Sequence, residues 1–98
     1  MAWDIETLPA VRPLLQLIDP LLRAEMVEKT AEIADDPLSH LRRAYRDDEF
    51  AGARVLEYDS DVIHGLRVRL LFDLAAAGRP KLFLMAVLTT SGDRRDQG

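Results

Sequence analysis

Three segments in the second half of the chain, ARVLEYD at 53–59, LRVRLLFDL at 66–74 and KLFLMAVLT at 81–89, each carry the residue types and spacing of a β-strand. Only short connections separate them, so consecutive strands are expected to pair as antiparallel neighbours; a parallel return needs a crossover of about a dozen residues or more. The middle segment is the most constraining. Its even positions, Leu66, Val68, Leu70, Phe72 and Leu74, are all apolar, whereas its odd positions begin with Arg67 and Arg69. A period of two sends alternate side chains to opposite faces, which predicts the apolar row beneath a covering layer and both arginines on the other, open face. Gly65 and the AAAGRP run at 75–80 mark the intervening turns. The segments at 66–74 and 81–89 are apolar enough to be central strands.

The covering layer has to come from the first half. AWDIETL at 2–8 alternates Trp3, Ile5 and Thr7 with Asp4, Glu6 and Leu8, the pattern of a short strand with one solvated face. A short helix beginning near Pro13 fits the apolar spacing at 11, 14, 15 and 18, because proline is tolerated only in the first helical turn. Asp19 before Pro20 is a helix-start signal and predicts a second helix over about 20–35. Its buried stripe would be Leu22, Met26, Thr30, Ile33 and Ala34, with Glu25, Glu28, Lys29 and Glu32 on its surface. DDP at 35–37 ends it. Residues 38–52 lack a clean period and leave room for a helical turn around 41–46, followed by a loop through Asp47, Asp48 and Glu49. The order is a strand, a helical hairpin and an antiparallel three-strand meander, which defines an α+β fold with helices on one face of the sheet.

Ninety-eight residues allow one modest core, expected over 1–90, with a loose, flexible tail at 91–98 rich in glycine and aspartate. The chain contains no cysteine, so thiol catalysis and cysteine-ligated zinc or iron–sulfur chemistry are excluded. No apolar run approaches the roughly 20 residues of a membrane span and no leader pattern is present, so no membrane association and a cytoplasmic location are expected. The net charge of -4 is opposite to the basic surplus usual in nucleic-acid binders. That charge is uneven: residues 1–52 hold 11 acidic and 6 basic side chains, residues 53–98 hold 6 and 7. An anion site is therefore expected on the second half.

Same-face neighbours on one strand lie roughly 7 Å apart, a spacing that suits adjacent phosphate oxygens. Arg67 and Arg69 offer planar donor forks at that spacing. Arginines on an uncovered sheet face also serve simply as solvated partners of acids such as Glu57 or Asp73. His64, beside Gly65, has the chemistry of a proton shuttle near neutral pH and also that of a solvated turn residue. Tyr58, on the same face of its strand as Arg54, is a stacking candidate, whereas Trp3 is better placed under the helices. The acids in YDSDVIHG, 58–65, lack calcium-loop spacing and are explained by turn chemistry, so no metal or other cofactor is expected.

Two pieces, LLRAEMVEKTAEIADDPLSH at 21–40 and GLRVRLLFDLAAAGRPKLFLMAV at 65–87, together with the element order, resemble the RelE/ParE superfamily. These are the toxins of bacterial type II toxin–antitoxin modules, including the HigB-like branch. The resemblance spans roughly residues 3–90. It implies a metal-independent endoribonuclease that cleaves messenger RNA, free or on the ribosome, and so inhibits translation; in the ParE branch it implies a gyrase poison. Either would be neutralised by a cognate antitoxin protein. Arg67 matches the arginine of many RNA-cleaving members, and Arg54 falls where RelE proper has the first of two strand lysines, with Leu56 in the place of the second. These imply catalytic roles for Arg67 and Arg54, with Arg54, Arg67 and Arg69 together on the open sheet face; Arg69, Tyr58 and His64 are substrate-binding candidates on the chemistry given above, the resemblance supplying no firm match at His64. The family's late basic residue appears here as Thr90 or Ser91, and its late tyrosine has no counterpart. A non-catalytic interaction module of the same fold is the alternative, and a homodimer through an exposed sheet edge is compatible with either.

Overall fold

In a computed structural model, residues 2–44, 52–75 and 79–91 are described. The order is β1 (Asp4–Thr7), α1 (Arg12–Gln16), α2 (Pro20–Ile33), a 3-10 turn (Pro37–Ser39), β2 (Arg42–Arg43), β3 (Arg54–Asp59), β4 (Leu66–Leu74) and β5 (Lys81–Ser91). The five strands form one sheet in the order β1-β5-β4-β3-β2, so β4 and β5 are central as their composition predicts. The meander β3-β4-β5 is antiparallel throughout, and β1 returns to lie parallel to β5. This is the expected α+β class.

Local chemistry explains the helices. Asp19 caps α2 by accepting from the Leu21 N–H at 2.8 Å, with Pro20 in the first turn. Pro13 sits in the first turn of α1, where its missing N–H costs nothing. Leu22, Met26 and Ile33 of α2 pack on Val68, Leu70 and Phe72 of β4 and Leu82 of β5, and Trp3 and Ile5 join from the side. Fully burying each such side chain is worth about 1.5–3 kcal/mol, so this one layer dominates the stability of so small a domain.

Several details depart from the periodic reading. Thr30 and Ala34 are only half-buried, and Glu25, expected on the surface, is 8% exposed. Its carboxylate accepts from the Ser60 hydroxyl and the Asp61 N–H, each at 2.7 Å, so a partner invisible to helical periodicity buries it. Leu74 leaves the core at 39% exposure at the end of β4, beyond the last β3–β4 pair, Arg54–Phe72. No helical turn follows Leu41; Arg42–Arg43 instead pairs with β3 as a two-residue edge strand. The expected loop through Asp47–Glu49 lies outside the described residues. Strand β5 continues through Ser91, two residues past its expected end and into the expected tail, the rest of which lies outside the described residues.

The β4–β5 ladder carries a bulge. Leu71 stands opposite Ala86 and Phe72 opposite Leu84, so Met85 is the extra residue, and the facing of β5 inverts there. Leu82 and Leu84 before it, and Val87 after it, all reach the helix-covered core. The opposite face has a small apolar cluster of its own, Ala53, Val55 and Leu71 with Ala44, Met85 and Ala86. It is therefore not uniformly polar, as alternation alone suggests.

Candidate functional site

The ladder between β3 and β4 decides which side chains share a face. Asp59 pairs with Arg67, Glu57 with Arg69, Val55 with Leu71 and Arg54 with Phe72. Directly opposed residues project to the same side of a sheet. Arg67 and Arg69 thus stand with Glu57, Asp59 and the Val55–Leu71 cluster on the face away from the helices. The continuation on β5 places Thr90 beside Arg67 and Leu88 beside Arg69. Arg42, opposite Val55, adds a third guanidinium to this face.

The three arginines are not equivalent. The Arg67 Nε donates to Asp59 Oδ1 at 3.0 Å, and its NH1 lies 3.4 Å from Glu57 Oε2. Glu57 uses its other oxygen toward Arg42 at 3.4 Å, so one carboxylate bridges two guanidinium groups. Glu57 reaches diagonally to Arg67 rather than straight across to Arg69. Arg69 consequently has no ion-pair partner among the described residues. The Arg67 side chain remains 48% exposed, and the hydrogen bond to Asp59, with the charges of Asp59 and Glu57, holds its pKa above the usual arginine value. It is a permanent cation, accessible yet already engaged.

Arg54 and Tyr58 fall on the other face. Arg54 opposes Phe72 and Tyr58 opposes Val68, both core residues beneath the helices, so the expected grouping of Arg54 with Arg67 and Arg69 is corrected. Alternation within each strand holds; what it lacks is the register between strands, and one residue of register decides the face. Tyr58 packs against the core, with Lys29 Nζ 5.6 Å from its ring centre and its hydroxyl buried. Burial, reinforced by the Glu25 charge, pushes its phenol up to about 12. A phenol so placed is no stacking platform. Trp3, as expected, is half-buried against the same core.

His64 is exposed in the turn joining β3 to β4, next to Gly65, whose φ of 79° is the left-handed conformation the turn requires. The Ser60 hydroxyl accepts from the Val62 and Ile63 N–H groups at 3.0 Å each and shapes that turn. His64 thus lies at the Asp59–Arg67 end of the hairpin. No group of three or more potential metal ligands occurs among the described residues. An apolar cleft of about 330 Å³, with Trp3, Leu15, Val27 and Leu84 among its walls, opens on the helix side, opposite the arginines. No helix among the described residues is long and apolar enough to cross a membrane.

A mixed sheet with a helical pair on one face and arginines on the other is an α+β arrangement to which comparison with solved structures gives a name. The chain has the RelE-type fold. It superposes on a chain of the RelBE2 toxin–antitoxin complex of Mycobacterium tuberculosis with a TM-score of 0.71, at 17% identity over 93% of this chain and 94% of that chain. It also matches the free-state structure of the Escherichia coli toxin RelE bearing two arginine-to-alanine substitutions, with a TM-score of 0.63, at 15% identity over 89% of this chain and 82% of that one. No family profile matches the sequence, and no curated protein matches it.

Proposed function

We propose that this chain is the toxin of a bacterial type II toxin–antitoxin module and acts in the cytoplasm as a metal-independent messenger-RNA endoribonuclease. The observation that carries the reading is a RelE-type fold whose central strand projects Arg67 and Arg69 from the face away from the helices. In this chemistry the 2′-oxygen forms a bond to the adjacent phosphorus as the bond from phosphorus to the 5′-oxygen breaks. The 2′-hydroxyl proton departs and the leaving oxygen gains one. Arg67 supplies a planar cationic donor to the charge that accumulates on the phosphoryl oxygens, and Arg69, without a carboxylate partner among the described residues, holds a neighbouring phosphate. His64, exposed at the same end of the hairpin, is positioned to exchange protons. The partner is a cognate antitoxin, in keeping with the toxin–antitoxin complex among the structural neighbours.

Messenger-RNA cleavage in a purified translation system tests this. Wild type cuts and Arg67→Ala, folded by circular dichroism, loses at least tenfold in rate; intact RNA at high wild-type concentration refutes the ribonuclease.

One observation favours a second reading, a non-catalytic or gyrase-binding module of the same fold. Thr90 stands directly across from Arg67, where the family resemblance calls for a late basic residue nearby. Capture of gyrase or a small partner protein with RNA left intact would select it.

A further inference from the structure

Asp59 stands opposite Arg67 on the neighbouring strand, and Glu57 reaches the same guanidinium from one diagonal position away. Asp59 takes Nε, one prong of the side-on Nε/NH2 fork, and Glu57 lies at NH1, one prong of the end-on NH1/NH2 fork, so each of the two-pronged grips that arginine can offer a phosphate has one donor already engaged. Asp59 contributes little to the fold: it is 75% exposed, and exposed ion pairs add little net stability. Two carboxylates thus crowd the cation that the proposed function assigns to phosphate, in a chain whose net charge is already -4.

We propose that Asp59, seconded by Glu57, is a built-in competitor for the Arg67 guanidinium, which holds RNA affinity down until a phosphate displaces it. This rests on the ribonuclease reading and adds a restraint inside the toxin itself, separate from any antitoxin. A phosphate approaching Arg67 must swing the Asp59 side chain aside and endure the charge of Glu57, which stays tethered through Arg42. Asp59 is the movable element because its one described side-chain bond is the one to Arg67. Arg69 is where a backbone phosphate can dock first, two positions along the same face.

The test is binding of a single-stranded RNA oligonucleotide, followed by fluorescence anisotropy over a salt series, with cleavage rates measured in parallel. Asp59→Asn should bind roughly three- to tenfold more tightly than wild type at low salt, the gain fading as salt screens the charge. Glu57→Gln should act in the same direction, which guards against an Asp59→Asn variant that fails to fold. In an Arg67→Ala background the Asp59→Asn gain should fall below about twofold, since the competition has lost its object. Unchanged or weaker binding by Asp59→Asn, or an equal gain without Arg67, overturns the competitor role while leaving Arg67-dependent RNA binding intact. A slower cleavage rate in Asp59→Asn would likewise overturn it, making Asp59 an orienting group. Absence of RNA binding in wild type and every variant would sink the ribonuclease reading and this inference together.

Discussion

Glu25 of α2 is tied to Ser60 at the start of the β3–β4 turn by a 2.7 Å hydrogen bond between a buried carboxylate and a hydroxyl. The second carboxylate oxygen accepts from the Asp61 N–H at the same distance, so one side chain fastens the helix to the hairpin that leads into the arginine strand. The Ser60 hydroxyl, donating to Glu25, is itself the acceptor for Val62 and Ile63. Helix, turn and strand are thereby one unit.

Glu25→Ala should cost about 2–3 kcal/mol, because a hydroxyl and a backbone N–H lose their partner in a buried setting. Thermal unfolding would register this as a fall of roughly 10 °C for a domain of this size. Glu25→Gln keeps one acceptor oxygen and should cost about half as much. A loss no larger than for an exposed Glu28→Ala control would show that the tie contributes nothing.

Phe72, 1% exposed, is the largest fully buried side chain among the described residues and belongs to the main core. Phe72→Ala should destabilise by about 3–5 kcal/mol through lost transfer energy and the cavity left behind. Denaturant titration checks this, with the midpoint falling at unchanged slope. Truncation of Leu74, on the same strand but 39% exposed, should cost far less.

Tyr58 gives the protein an alkaline weak point. Burial and the Glu25 charge raise its phenol from 10.0 to about 12 in the folded state. Between those values the folded form keeps a proton that the unfolded chain releases, so stability is full below about pH 10 and declines as pH rises toward 12. Ultraviolet titration should show one tyrosine ionising late, and melting temperature should drop across that window. Tyr58→Phe should flatten the drop; an unchanged slope would mean that another group is responsible.

The alternation in GLRVRLLFDL determined by itself that residues 66–74 form a central strand with an apolar row and an opposed arginine pair, because a period of two needs no knowledge of any partner. Asp19–Pro20 likewise marked the start of α2, since a cap acts over three residues of backbone. The two-residue β2 was illegible: residues 42–43 carry no periodic signal and become a strand only because β3 offers an unpaired edge. What tertiary structure decided is everything that depends on distance between elements. Register put Arg54 and Tyr58 on the helix-covered face and brought Asp59 and Glu57 to Arg67. Packing across the fold buried Glu25 against a helix-surface pattern that foretold exposure. A side chain's periodicity fixes which neighbours on its own element it joins, whereas the identity of its partner across the ladder is set by turn length and core packing, and on that partner the state of the arginine site depends.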